Sequence, residues 1–199
     1  MAGLVIVAIG GTLMIDARLG LGPWDVLHQG LSERIGWQIG TVGIVVGCLI
    51  FLSWIPLGQR IGIGTVLNVI TIGVGVNLFL EIPFTTDALP PRIAALIVGD
   101  VLMAVGAGVY IGAGLGTGPR DGLMTGLVRR GLPLRTVRTT MELTVLVLGW
   151  ILGGTVGVGT VLFAVTIGPL LHAVLHRVDR GQLVSETVDA DLDATTSGA

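Results

Sequence analysis

Lysine is absent from this chain, and all 11 basic residues are arginine. There is one cysteine, one tyrosine and three histidines; charged residues make up 12% of the 199 positions and aromatics 5%. A lone Cys48 excludes an internal disulfide framework and any CxxC metal site. No basic patch interleaves with aromatics, so nucleic acid is not an expected partner. Three spaced histidines and one cysteine in an apolar run assemble no Ser-His-Asp or Cys-His set, so neither an enzyme nor a cofactor is expected. The scarcity of charge excludes most: a soluble domain carries about 25% charged residues, and a chain this poor in them could not cover its own surface in water.

What is present is apolar. Hydrophobic residues reach 52%, glycine contributes 33 positions, and the mean hydropathy is +0.91. Lipid is the solvent that suits such a chain, and glycine is frequent in membrane helices. A bilayer core takes about 20 apolar residues to cross. Six stretches qualify as spans, near 2–18, 38–56, 62–81, 92–114, 135–153 and 158–176. The first, opening at Ala2, lacks the basic flank of a signal peptide and reads as a span. Residues 1–177 therefore form a single all-α membrane domain, and 178–199 an acidic, disordered cytoplasmic tail.

Two connections are long, 19–37 and 115–134. Each opens on Gly-Pro-x-Asp: Gly22, Pro23 and Asp25 in one, Gly118, Pro119 and Asp121 in the other. Proline in the first turn and an acid that complements the dipole are helix-start signals. The helices that follow are too short to span, so each is interfacial or re-entrant. With six spans, eight arginines fall on the side of the termini and three (Arg18, Arg34, Arg92) on the other. The positive-inside rule makes the first side cytoplasmic in a bacterial inner membrane. Trp37, Trp54 and Trp150 sit at span ends as interface anchors.

The chain also repeats itself. Residues 20–27, Gly-Leu-Gly-Pro-Trp-Asp-Val-Leu, align with 116–123, Gly-Thr-Gly-Pro-Arg-Asp-Gly-Leu, at a spacing of 96. Residues 62–73 align with 157–168 at a spacing of 95, eight of twelve positions being identical. Repeat one is about 2–81 and repeat two about 92–176, each with three spans and one short helix. Three is odd, so the second copy enters from the opposite face, as in transporters built from inverted repeats. The two Gly-Pro-x-Asp turns are expected to approach each other across the pseudo-two-fold axis, or to hold equivalent places.

The strings Gly20-Leu21-Gly22-Pro23-Trp24-Asp25-Val26-Leu27-His28-Gln29-Gly30 and Gly62-Ile63-Gly64-Thr65 carry a resemblance over nearly all of 2–176. The chain resembles the YczE/YyaS/YitT family of bacterial membrane proteins, most closely its YczE-like branch. The resemblance implies a cell-membrane location and a permease-like role, and supplies no catalytic residues.

Candidate residues each have two readings. The turn residues Gly22, Pro23, Asp25, Gly118, Pro119 and Asp121 could present free N–H groups to a solute, or merely start two helices. Gly62/Gly64 and Gly157/Gly159 read as close-packing positions, as do Gly43/Gly47, Gly108/Gly112 and Gly149/Gly153. Asn68, Asp100 and Glu142 lie inside apolar spans, where polar groups face the protein interior. Glu142 could face a cavity or pair with Arg138 one turn away. His172 and His176 have metal-compatible spacing but no third ligand nearby, so no metal is expected. The expected function is a permease-like carrier of a small solute, with lipid around it and homo-oligomers an open option. The alternative is a non-transporting accessory or scaffold protein assisting a membrane enzyme or complex. Orientation is directly testable. In a Cys48→Ser background, an impermeant thiol reagent on whole cells should label Thr86→Cys and spare Ser185→Cys; the reverse pattern contradicts the arginine count.

Overall fold

The structure, a computed structural model, describes residues 1–59, 61–82, 87–113 and 118–178. The expected acidic tail, from residue 179 on, lies outside the described residues, as do Arg60, Thr86, Gly116 and Thr117. The described residues form eight helices and no strand. These are α1 (Ala2–Ala17), α2 (Pro23–Ile35), α3 (Ile39–Leu57), α4 (Ile63–Leu80), α5 (Leu89–Gly112), α6 (Pro119–Val128), α7 (Leu134–Ile151) and α8 (Val158–Val178).

Four of them, α3, α4, α5 and α8, are long and apolar enough to cross a membrane. The two other expected spans, α1 and α7, fall short of that. α1 is apolar but only 16 residues, about 24 Å at 1.5 Å per residue. α7 has 18 residues but carries Arg135, Arg138 and Glu142. Helix ends follow local chemistry: α2, α5 and α6 have proline in their first turn, where no N–H is missed, and α2 and α3 stop at left-handed Gly36 and Gly58.

The centre of the bundle is the pair α1 and α5, which run antiparallel with backbones in contact. A Cβ added to Gly3 would stand 2.6 Å from the Gly106 carbonyl oxygen, and one added to Gly106 equally close to that of Gly3. Gly10 and Gly99 repeat the arrangement at 2.7 Å each way. No side chain fits at these four places, and the lost volume lets main-chain atoms meet, which is how helices associate strongly in lipid. Around this pair, α4 lies parallel to α1, with Ala8 beside Gly75 and Gly11 beside Val76. α8 lies parallel to α5, with Thr166 bonded to Asp100 and Val174 over Gly108.

Two further seams complete the fold. α3 runs antiparallel to α4, Gly40 lying on Gly73 while the Asn77 amide accepts from Gly40 N at 2.8 Å and donates to Thr41 Oγ1 at 2.9 Å. The short helix α2 packs on the end of α7, the Gly149 backbone lying on that of Leu27. α6 packs on the end of α3, where the Trp54 ring covers Gly122 and its Nε1 donates to Pro119 O at 3.1 Å. Trp54 is thus not an interface anchor: it is 1% exposed, because α6 folds back over it. Trp37 and Trp150 are exposed at helix ends, at 52% and 65%. Of the expected packing glycines, Gly153 instead makes the left-handed turn after α7, with φ +111.

The crossing predicts a graded result. Gly10→Ala and Gly99→Ala each push a methyl into opposing backbone and should cost about 1–3 kcal/mol, the usual range for overpacking. Gly168→Ala, with nothing within 4 Å, should cost none. Thermal unfolding in detergent checks this; equal stability of the three variants would show that the crossing is not tight.

Candidate functional site

The two Gly-Pro turns do not meet. Gly22 starts α2 at the C-terminal end of α1, where Leu19 O accepts from Gly159 N of α8 at 2.8 Å and Leu21 N donates to Thr155 O at 3.3 Å. Gly157 and Gly159 therefore receive the backbone of the 19–22 connection, rather than form a helix crossing. Gly118 starts α6 beside Asn68 of α4, near the N-terminal end of α1. The turns lie at opposite ends of the bundle.

Their surroundings differ in kind. The ring of Phe163 lies against Gly22, a Cβ there being 2.9 Å from Phe163 Cε1, and Met14 and Leu21 are buried in the same cluster. At the second turn Asn68 stands where the 95-residue spacing puts Phe163, and Tyr110 stands 96 residues after Met14. The Tyr110 hydroxyl donates to Gly64 O at 3.4 Å, and a cavity of about 190 Å³ opens there, lined by Met1, Leu4, Gly64, Leu67 and Tyr110. The first turn is sealed by apolar side chains; the second has the Asn68 amide beside it and lies near a mostly apolar cavity with the Tyr110 hydroxyl at its edge. Neither acid of the turns is enclosed. Asp25 lies 3.7 Å from His28 Nδ1 and Asp121 3.7 Å from Arg120 Nε, all partly exposed.

A second, more polar cavity of about 360 Å³ lies at the far end of the α1–α4 seam. Gln29, Ser32, Glu33, Gln38, Asn77 and Glu81 line it together with Ile15 and Leu80. Its size is that of a small-molecule site, and its carboxylates and amides suit a polar or cationic solute rather than an anion. Between the cavities the seam is shut by Ala8 against Gly75 and Gly11 against Val76. Gln29 lies in the family string without a role, and Glu33 escapes a motif search because it sits on the polar face of a short helix, where such residues are ordinary. The repeat spacing would have flagged Glu33, whose counterpart 96 residues on is Arg129.

The intramembrane candidates separate. Asp100 is 3% exposed and bonded to Thr166. Asn68 is half-buried beside the second turn. Glu142 faces outward, its Oε1 3.2 Å from Arg138 Nε with both side chains well exposed. His172 and His176 stack with ring centroids 5.3 Å apart, and no group of three His, Cys, Asp or Glu that could hold a metal occurs among the described residues.

A model of a family of unknown function, DUF6198, matches residues 1–176. The chain belongs to this family. It is similar to an uncharacterized protein of Haemophilus influenzae, 39% identical over 178 residues, 89% of this chain and 82% of that one. It is similar as well to the Bacillus subtilis proteins YczE, an uncharacterized membrane protein, and YyaS. Identity to YczE is 40% over 86% of this chain and 81% of that one; to YyaS it is 32%, over 89% and 91%. No solved structure matches. With the apolar helices, this family membership makes the chain a membrane protein of the YczE kind.

The Glu142–Arg138 pair carries a quantitative expectation. Exposed pairs are worth roughly 0–1 kcal/mol. Glu142→Gln should therefore change stability by less than about 1 kcal/mol in thermal unfolding and leave any solute response intact. Loss of that response in a folded Gln variant would return Glu142 to the site.

Proposed function

We propose that the chain is a carrier that moves a small polar solute across the bacterial inner membrane, through six spans arranged as two inverted three-span repeats with both termini cytoplasmic. The helix directions support the inversion: α1 and α4 run one way and α5 and α8 the other. The central crossing supports it further. Gly3 and Gly99 are 96 residues apart, as are Gly10 and Gly106, so exchanging the halves turns the Gly3–Gly106 contact into the Gly10–Gly99 contact. The short α1 spans on this reading because α4 and α5 sheathe it. The charges of α7 cluster in its first three turns, toward the arginine-rich side.

The observation that carries the carrier reading is a difference between two equivalent seams. α3 and α4 are packed, with Gly73 pressed on Ile44 and Gly40. Their counterparts α7 and α8 barely touch among the described residues, and Gly168, equivalent to Gly73, has nothing within 4 Å. The face of α7 that would close the seam, Thr136, Thr140 and Leu143, is exposed. One half is shut and the other open, as in one end state of an alternating-access carrier. Exchanging the roles of the halves gives the opposite end state. Gly168-Pro169 gives α8 a hinge that α4 lacks, since proline removes a helix hydrogen bond and bends the axis.

A thermal-shift screen of polar solutes on the purified protein, followed by flux in proteoliposomes, tests the proposal. At least one solute should raise the melting temperature in a concentration-dependent way and equilibrate across protein-bearing, but not empty, vesicles. Stabilisation by no solute, together with stoichiometric co-purification of a membrane-associated enzyme, would replace the carrier with the accessory reading.

A further inference from the structure

Asp100 sits at the middle of α5, about 17 Å along the axis from either helix end. It is 3% exposed. Its Oδ2 lies 2.5 Å from Thr166 Oγ1 of α8, and that hydroxyl lies 2.7 Å from Leu162 O. Its Oδ1 is buried and has no hydrogen-bond partner. Thr166 has one hydroxyl hydrogen for two oxygen neighbours. If Asp100 is a carboxylate, the hydrogen is shared and a charged oxygen is left with no donor in an apolar interior, which is strongly unfavourable. If Asp100 is the acid, its own O–H donates to Thr166 Oγ1, the threonine donates to Leu162 O, and Oδ1 is a neutral carbonyl. The acid form accounts for every hydrogen in this packed geometry. The carboxylate form needs water or another donor at Oδ1.

We propose that Asp100 is a proton-binding site, filled in this dry, packed geometry and emptied when water reaches it, so that the solute is carried together with protons. The coupling, though not the proton site itself, rests on the carrier reading. The proton comes from water and returns to water, and no other bond changes. The helices packed on α5 bring no charge to this level. On α1 the amino terminus and Asp16 lie toward the two ends, and on α8 His172, His176 and Arg177 lie more than one and a half turns beyond Thr166. On α5 itself Arg92 is engaged with Ala17 O and Arg18 O, and Tyr110 with Gly64 O. The polar atoms at hand are those of Asp100, Thr166 and Leu162, too few to coordinate a metal cation. The repeat sharpens the assignment: Thr71 matches Thr166, but Leu4 stands where the spacing puts Asp100. The hydroxyl belongs to both halves and the ionisable group to one.

Infrared spectroscopy of the protein in lipid, titrated with pH without any solute, tests the site. The wild type should show the carbonyl band of a buried carboxylic acid that fades as pH rises. Asp100→Asn should lose the band, and Thr166→Val, which removes the hydrogen-bond partner, should shift it to higher frequency. Identical spectra for wild type and Asp100→Asn, or a band whose intensity ignores pH, would overturn the proposal; should Asp100→Asn not fold, an unshifted band in Thr166→Val would do the same. A titrating band in a protein that moves no solute would refute the carrier reading and leave the proton site standing. Solute flux whose pH dependence survives Asp100→Asn would refute the proton coupling and leave the carrier standing.

Discussion

Everything in this fold depends on two helices touching through their backbones. In lipid there is no hydrophobic drive to bring helices together, so contact has to come from close packing, and close packing requires that side chains be missing. Gly3, Gly10, Gly99 and Gly106 supply that absence on α1 and α5. With those axes fixed, α4 packs on α1 and α8 on α5; α3 then attaches to α4, and α2, α6 and α7 attach to α3 and to one another. The same crossing explains how a helix of 16 residues can be central: it meets protein on most of its surface.

The outer seams obey a different rule. Where the central pair is self-matched under exchange of halves, the seams α3–α4 and α7–α8 are not. The closed one has Gly40, Thr41, Asn77 and Gly73, a set of small residues with one amide to satisfy backbone and hydroxyl. The open one has Thr136, Val137, His172 and Gly168 at the matching positions. The bulkier Thr136 and His172, in place of Gly40 and Asn77, weaken the packing without forbidding it, which suits a surface that forms and breaks. On the proposed reading, the rigid centre and the reversible periphery are the two requirements of a carrier.

Much of this was legible in the sequence, and the parts that were not have physical reasons. Helix positions followed from apolar length and proline placement, and α2 and α6 from Gly-Pro-x-Asp. The spacing of 96 already aligns Gly3 with Gly99 and Gly10 with Gly106, but among 33 glycines these four carry no signal until contacts select them. Trp54 and Trp150 are also 96 apart, yet one is buried under α6 and the other faces outward, because α7 meets α2 through bare backbone at Gly149 and leaves no room for an indole. The turns shared a motif and invited a shared site; their neighbours, far off in the chain, differ, an apolar Phe163 ring at one and the Asn68 amide at the other. Among the acids in apolar stretches, Glu142 and Asp100 looked alike in one dimension. A partner at i−4 accounts for the first, whereas the second depends on Thr166, a long-range contact.

The central claim is that the two outer seams are equivalent and exchange. Paired cysteines in a Cys48→Ser background, oxidised in native membranes, measure it directly. Ile44→Cys with Gly73→Cys reports the seam that is closed here, and Thr140→Cys with Gly168→Cys reports its counterpart. The account predicts that both pairs cross-link, the second as readily as the first once the seam has had time to close. Complete cross-linking of the first pair with none of the second, however long the oxidation, would show a static difference between the halves and contradict the exchange.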